Sequence, residues 1–571
     1  MTLIARTNRT QSSSSLSWRS LLIVTSALVG WSGGASAYIG DSFLEIPGSA
    51  GHWTGRDHKH WIRAEASDWP GMLRRIMSGG GDFLAGNKLF FGGPGAPHPG
   101  GSGTLVIALA KSNPDLEQLR ALCAHETSIA QLTYAESSDR SRPILELGPR
   151  PASFPDFWEY RLKNVQVSAC PDVSDASQQA FVLSFEDVEW LNYDPQGPAG
   201  NKVAVNPRDL PKVEVAPTSG KTQTRTFVVN WIAPATDSDE RSCPVLNTKP
   251  TEQDVFRYLS PEEVAKERAK NGEKGITFGG QSERRGPDKL NAVLLPGIVP
   301  DPGFIEPKSS VAEGLDLDGD DGSGNPPRSV CKHKNYVSAD GRTGIDNQFF
   351  TVSACVAGLR GKQGYRNQTS NARRADGNIV TLVQVSGIRN EKNDTHVTVS
   401  IIYSRDKPIR DAAGRYVANY TFRPTENPNF ALYNLKVRGR MVNAVVTTDV
   451  IPKFQMNLGQ DPLLQLANAR LRLEFLPDGS MKATLGGYRD WKEIAMGSAS
   501  GYSEGLFAYQ MPGLYYSLKR NADGLKDPVT GECTGISMAY EIDAVPAFLA
   551  PDTTPQVKTA QVANTGPGVA H

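Results

Sequence analysis

Apolar positions along this chain fall mostly into short alternating runs and seldom into helical stripes. The first exception is a longer apolar stretch, Leu21-Leu22-Ile23-Val24-Thr25-Ser26-Ala27-Leu28-Val29-Gly30-Trp31, behind Arg6, Arg9 and Arg19 and ahead of Ala35-Ser36-Ala37. A basic lead without acids, a short apolar core and a small-x-small end predict a secretory signal peptide over residues 1–37, cleaved after Ala37, and hence a secreted or periplasmic protein. The stretch is shorter than the ~20 apolar residues a membrane span needs, so no transmembrane segment is expected in the mature chain. The residue pattern then predicts one short strand at Phe227 to Ile232. From Cys331 onward it predicts strands at Val380 to Val385, Thr395 to Tyr403, Arg415 to Phe422, Tyr433 to Arg440, Val442 to Thr448, Leu471 to Leu476 and Met481 to Leu485. Leu476-Pro477-Asp478-Gly479-Ser480-Met481 reads as a turn, with Gly479 supplying a positive φ. Helical signals are two. Ser260 to Lys270 has Ser260 as N-cap, Pro261 at the first helical position, Glu263 three residues after the cap and Asn271-Gly272 as the stop. A second helix is expected within 511–522. The fold class read from this pattern is all-β, with a C-terminal β-sandwich or jelly roll.

The N-terminal third carries a resemblance. Asp41-Ser42-Phe43-Leu44-Glu45-Ile46-Pro47-Gly48 leads to Asp57-His58-Lys59-His60-Trp61-Ile62-Arg63-Ala64-Glu65-Ala66-Ser67-Asp68-Trp69, a charged turn running into an alternating strand. Asn113-Pro114-Asp115-Leu116 opens a short segment that reaches Cys123, and Tyr160-Arg161-Leu162-Lys163-Asn164-Val165-Gln166-Val167-Ser168 is followed by a strand ending at Tyr193-Asp194-Pro195-Gln196. In this order the pieces resemble the haemolysin-coregulated protein (Hcp) family, the tube subunit of type VI secretion. The resemblance implies a two-sheet β-barrel with a short helix over residues 38–197, with strands at Ile129 to Tyr134, Tyr160 to Ser168 and Phe181 to Trp190, a ring-forming habit, and protein partners or self-assembly. Tube subunits lack secretory signals and end near the closing hairpin, whereas this chain runs on.

The remaining organisation follows from composition. Residues 198–328 are rich in Pro, Gly and charge and read as an inter-domain region with one helix at 260–270. Residues 329–550 are the C-terminal β domain, and 551–571 a Pro/Thr/Ala tail expected to be disordered. Fifty-five Gly and 39 Pro in 571 residues fit many turns and argue against long helices. Without the signal, 58 basic residues stand against 61 acidic, a charge of −3, and no nucleic-acid partner is expected. All six cysteines lie beyond residue 37, and in an oxidising compartment disulfides are expected. Cys123 with Cys170 and Cys331 with Cys355 are the pairs proximity suggests, with isolated buried thiols the alternative for the first.

The sharpest local motif is Asp316-Leu317-Asp318-Gly319-Asp320-Asp321-Gly322. Carboxylates at alternate positions of a Gly-rich turn converge and attract a hard cation, so Asp316, Asp318, Asp320 and Asp321 are candidate calcium ligands. Pro327 stands where calcium loops place a bidentate Glu, so the motif reads as a weak Ca²⁺ site or as a solvated acidic linker. Asp346 and Asn347 could add oxygen ligands or could cap a turn. His52, His58 and His60 could bind a metal or could belong to a charged surface turn. No Gly-x-Ser-x-Gly, His-Glu-x-x-His, P-loop or dinucleotide motif is present. The glycines at 79–81 and 92–103 read as a flexible loop. Glu186 and Asp187 face opposite ways on a strand and cannot share a substrate. Tyr488, Trp491, Tyr515 and Tyr516 could stack on a glycan or could fill a core, and Asp490 stands beside them. Between residues 331 and 550 only His333 and His396 could serve as an imidazole base. No catalytic residue and no cofactor apart from possible Ca²⁺ is assigned. The function expected is that of an exported, non-enzymatic binding or assembly protein; the alternative is a barrel carrying a C-terminal hydrolase or toxin.

Overall fold

A computed structural model describes residues 37–55, 58–68, 103–125, 127–137, 157–191, 222–238, 241–243, 245–246, 261, 262, 265, 269, 290, 292, 295–320, 330–425, 434–458, 464–499 and 511–550. The glycines at 79–81, most of 92–103, the apolar stretch of the predicted signal, Asp321 and the 551–571 tail lie outside them. The described residues of the 260–270 segment, Pro261, Glu262, Ala265 and Ala269, are helical and exposed.

Seven strands form the first sheet: β1 (Ala37–Glu45), β2 (Ile62–Asp68), β3 (Gly103–Ala110), β4 (Ser128–Ser137), β5 (Phe157–Ala169), β6 (Gln178–Phe185) and β7 (Asp187–Trp190). Their order is β4-β1-β2-β3-β6-β5-β7, and β4 also pairs with β5, so the sheet closes on itself. Strand β5 achieves the closure by its length: Phe157–Gln166 pairs with β4 and Gln166–Ala169 with β6. Its inward residues are Tyr160 and Leu162, then Val165 and Val167. The alternation slips by one residue because Asn164 takes a left-handed φ of 49°, a conformation asparagine tolerates. Along these strands Ile62, Val165, Val167, Leu183, Phe185 and Val188 are buried and Val182 is half-buried. Helix α1 (Leu116–Ala124) buries Leu116 and Leu119 against the barrel, and Cys123–Cys170 ties it to the residue after β5, the pairing expected from sequence.

The second sheet begins inside the stretch read as inter-domain. Strand β8 (Gln223–Pro234) joins β9 (Val380–Ile388), β10 (Asp394–Ser404), β12 (Leu435–Val442), β13 (Val445–Thr448), β15 (Leu464–Phe475), β16 (Met481–Asp490) and β18 (Cys533–Leu549). These eight pair antiparallel in the order β8-β9-β10-β12-β13-β15-β16-β18, and β18 pairs back to β8. The all-β class therefore holds, and the second body is a closed barrel where a sandwich or jelly roll was expected. The reason is non-local: closure depends on Ile232 meeting Ile542, which no local pattern announces. Short strands β11 (Tyr420–Phe422), β14 (Ile451–Met456) and β17 (Gly524–Lys526) flank the ring. Helices α2 (Gln348–Ser353), α3 (Tyr365–Ala375), α4 (Trp491–Ala499) and α5 (Gly513–Arg520) complete it, and Val352, Trp491, Ile494, Leu514 and Leu518 share the core of the inward strand residues. No helix among the described residues is long and apolar enough to cross a membrane.

The expected Cys331–Cys355 bridge is replaced by two others, Cys243–Cys355 and Cys331–Cys533. Spatial neighbours decide pairing: the Cys331 N–H donates to the carbonyl of Asp523 (2.8 Å), just before β17, and β17 pairs with the start of β18 through Lys526 and Cys533.

Residues 35–571 form one contact unit containing both barrels. Ala66, Val106, Ala108 and Ala180 on β2, β3 and β6 bury themselves under Ala292, Leu295, Ile298 and Val299. At about 25 cal/mol per Å² of apolar surface removed from water, such contacts hold the face closed without directional bonds. Polar links add specificity: Gln178 Nε2 donates to Glu65 Oε2 (2.7 Å) and Tyr515 Oη (2.9 Å), and Tyr516 Oη donates to the Val299 carbonyl (2.6 Å).

Candidate functional site

Titratable groups concentrate where four segments meet beside β16 and β18. The first is the turn Asp316 to Asp320, in which Gly319 takes a φ of 84° that an L-residue rarely adopts. Leu315 lies over Gly486 of β16, and the Arg470 guanidinium donates to the Asp316 carbonyl (3.1 Å), so the turn is fixed to the barrel. The second segment is Cys331 to His333, anchored by the Cys331–Cys533 bridge. The third is Asp346, whose N–H donates to the Leu315 carbonyl (2.9 Å) just before α2. The fourth is Asp523, which accepts from the Ser537 N–H (2.6 Å) just before β17.

Ligand atoms of Asp318, His333 and Asp346 come within 4.8 Å of one another. Their side chains are 2%, 5% and 0% exposed. His333 Nε2 is 2.9 Å from Asp346 Oδ1 and 3.9 Å from Asp318 Oδ2. The other Asp346 oxygen accepts from the N–H groups of Leu317 (2.7 Å) and Asp318 (3.3 Å). Asp318 Oδ1 accepts from the Asp320 N–H (2.7 Å), but no donor reaches Asp318 Oδ2, Asp523 Oδ2 or Tyr488 Oη, although all three atoms are buried.

Burial pushes the His333 imidazole down, but the Asp346 carboxylate and the Cys331 carbonyl more than offset this and hold it at about 9. Burial pushes the Asp523 carboxyl up to about 7 against the hydrogen bonds from Ser537. Burial also raises the Asp318 carboxyl, with the charges of Asp346 and Asp316 acting in the same direction. Tyr488 is raised by burial and by the surrounding carboxylates, and it keeps its proton. Three carboxyl groups thus face one imidazole in a nearly dry space. Such a set can hold a cation or share protons.

The sequence placed its candidate ligands on the turn alone. The turn's Asp316 spends an oxygen on its own Gly319 N–H (2.6 Å), and Asp321 lies outside the described residues. Asp318 is the member of that set whose ligand atom gathers with His333 and Asp346. Asp346 had been weighed as an oxygen ligand; Asn347 instead caps α2, its Oδ1 accepting from the Phe350 N–H (3.2 Å). Sequence reasoning missed His333 facing Asp346 and missed Asp523 altogether. The only signal was the His two residues after a cysteine, and its value depended on knowing that Cys331 pairs with Cys533.

The other candidates disperse. His52 Nδ1 meets Asp115 Oδ1 (2.6 Å), and His58 Nε2 meets Glu159 Oε1 (3.1 Å) while its ring stacks on Phe43. His58 and His60 have φ values of 53° and 67°, so they belong to a tight turn and not to an extended pair. Glu186 accepts from Asn164, and Asp187 pairs with Lys163 (3.0 Å). Tyr488, Trp491 and Tyr515 are buried and cannot offer rings to a glycan.

No protein-family model and no curated protein matches the chain. Among solved structures it is similar to the crystal structure of Hcp2 from Salmonella typhimurium, at 17% identity and a TM-score of 0.18 over 28% of this chain and 88% of that one. A structure of a type six secretion system protein is similar at 16% identity and a TM-score of 0.17, over 26% of this chain and 82% of that one. The crystal structure of Hcp1 from Salmonella typhimurium is similar at 17% identity and a TM-score of 0.17, over 26% and 87%.

Proposed function

We propose that this is an exported, non-enzymatic binding and assembly protein whose first barrel plays the part of a type VI secretion tube subunit. The observation that carries the reading is where the family-like segments fall. Ile62 to Asp68 is β2, the segment after Asn113-Pro114 is α1, Ile129 to Tyr134 lies in β4, Tyr160 to Ser168 in β5, and Phe181 to Trp190 is β6 with β7. They are successive parts of one closed ring, with the helix and its cysteine on the flank. The assembly role rests on this fold-level analogy, since a fold by itself specifies no chemistry. The β2-β3-β6 face is covered by the chain's own Ala292, Leu295, Ile298 and Val299, so association would use the face around β4, β5 and β7. That face carries the cross-strand pairs Arg161–Glu189 (3.2 Å) and Lys163–Asp187 (3.0 Å).

The test is the native mass of the purified protein at micromolar concentration, with electron microscopy of the same sample and fractionation of the source cells. Rings of several copies outside the cytoplasm would uphold the reading. A strict monomer, or turnover of a glycan, peptide or nucleic-acid substrate lost on one acidic substitution, would overturn it.

A further inference from the structure

We propose that Asp318, His333 and Asp346 form a buried site for one divalent metal ion of the zinc class, built against the second barrel and separate in kind from a calcium loop. The inference does not rest on the assembly reading.

Three features of the geometry point to it. The first is the tautomer. His333 Nδ1 lies 2.8 Å from the Cys331 carbonyl, which can only accept, so Nδ1 carries a proton. The second nitrogen, Nε2, is therefore the one presented to Asp318 and Asp346. A backbone carbonyl on the far nitrogen is the usual outer support of a metal-bound imidazole. The second feature is how each carboxylate divides its oxygens. Asp346 gives one oxygen to the backbone N–H groups of Leu317 and Asp318 and turns the other to His333. Asp318 gives one oxygen to the Asp320 N–H and turns the other, Oδ2, to the same nitrogen. Both ligands are thus oriented by main chain from behind. The third feature is the unpartnered Asp318 Oδ2, on a side chain 2% exposed. A buried carboxylate oxygen without a donor is costly, and a cation at the centre satisfies it.

The His333–Asp346 pair alone would be an ordinary buried ion pair, but at 3.9 Å its imidazole is too far to give Asp318 Oδ2 a hydrogen bond. The spacing also suits a small ion. Ligands about 2.0–2.2 Å from a tetrahedral zinc stand roughly 3.3 Å apart. The observed separations of 2.9 and 3.9 Å from His333 Nε2 bracket that value. Calcium prefers six to eight oxygens, and an imidazole with two carboxylates suits Zn²⁺ better. Asp523, whose main-chain carbonyl accepts from the Cys331 N–H, borders the site with its own Oδ2 lacking a donor. Three protein ligands leave one position of a four-coordinate ion to a water molecule, and with the ligand side chains at most 5% exposed that position is set back from bulk solvent.

The experiment uses the purified full chain, stripped with chelator and titrated calorimetrically with Zn²⁺ and, separately, Ca²⁺. Metal content and the visible spectrum of a Co²⁺-loaded sample are read in parallel. The expected result is one Zn²⁺ per chain, bound at least tenfold more tightly than Ca²⁺, with a Co²⁺ spectrum typical of four-coordination. Asp318→Asn, which keeps the shape of the side chain, should weaken Zn²⁺ at least tenfold, and Asp320→Asn in the same turn should not. Absence of Zn²⁺ uptake by the unmodified chain would overturn the proposal. So would uptake that survives both Asp318→Asn and His333→Gln, or a preference for Ca²⁺ that Asp320→Asn abolishes.

Discussion

Lys492 Nζ lies 2.8 Å from Asp41 Oδ1, joining the first helix turn after β16 to the first strand of the other barrel, 451 residues away in sequence. Arg63 Nη2 reaches the same oxygen at 2.8 Å, so one carboxylate serves two cations. The Lys492 side chain is 8% exposed. Removing the carboxylate takes the shared hydrogen-bonding partner from both cations and leaves them the longer-range charge of Glu65, whereas removing the lysine leaves Asp41 with Arg63. Asp41→Asn should therefore cost about 2–4 kcal/mol and Lys492→Met only about 1–2 kcal/mol. Chemical denaturation of both variants checks the order. Equal losses would mean that Arg63 does not compensate.

The first barrel's core is tested at Val165, which is fully buried where β5 changes partner from β4 to β6. Val165→Ala should destabilise by about 1–3 kcal/mol through lost contact and residual cavity. The neighbouring Asn164→Ala should also destabilise, because its φ of 49° disfavours a β-carbon without a polar tip. A barrel indifferent to both changes would not have the register described.

The second barrel offers a packing test beside the acid–imidazole cluster. A Cβ added at Gly524 would overlap the ring of Tyr488. Gly524→Ala should cost about 1–3 kcal/mol by overpacking. The variant should also weaken Zn²⁺ binding in the same calorimetric titration, because Tyr488 borders the same carboxylates.

Acid sensitivity should centre on Asp394 at the start of β10. Burial alone would raise its carboxyl, but Arg389 and the N–H groups of Arg389 and His396 hold it well below the usual carboxylate range. A depressed folded value gives stability that is complete above the unfolded value, near 3.9, and is lost as pH falls through the folded one. Asp394→Asn should thus be less stable than the unmodified protein at pH 7, with the gap narrowing below about pH 4. Urea melts at the two pH values decide it, and a gap that widens in acid would be the contrary result.

Much of this was legible from the residue pattern. Thr395 to Tyr403 alternates in sequence, Val380 to Val385 carries β-branched residues on both buried faces, and Tyr160 to Ser168 is marked by the family resemblance; all three are strands. Strand β18 escaped notice because Ile536, Met538, Tyr540 and Ile542 alternate with Ser537, Ala539 and Glu541 behind a Gly-rich entry, where two of the outward residues are themselves buried. Barrel closure and the Cys331–Cys533 bridge escaped because both are facts about distant partners. The cluster followed the same rule: Asp318 stood out in a motif, while His333 and Asp346 gained meaning only from contact.

The pairing of β8 with β18 sets an order on biosynthesis. The ring's opening strand emerges from the ribosome long before its closing strand exists, with Phe227, Val229 and Ile232 already apolar and unsheltered. Every intermediate length of nascent chain is thus an unsealed sheet with two raw margins, prone to pair with a neighbour. A chain cut anywhere before residue 533 lacks the seam strand, so early termination yields sticky fragments in place of a shorter working protein.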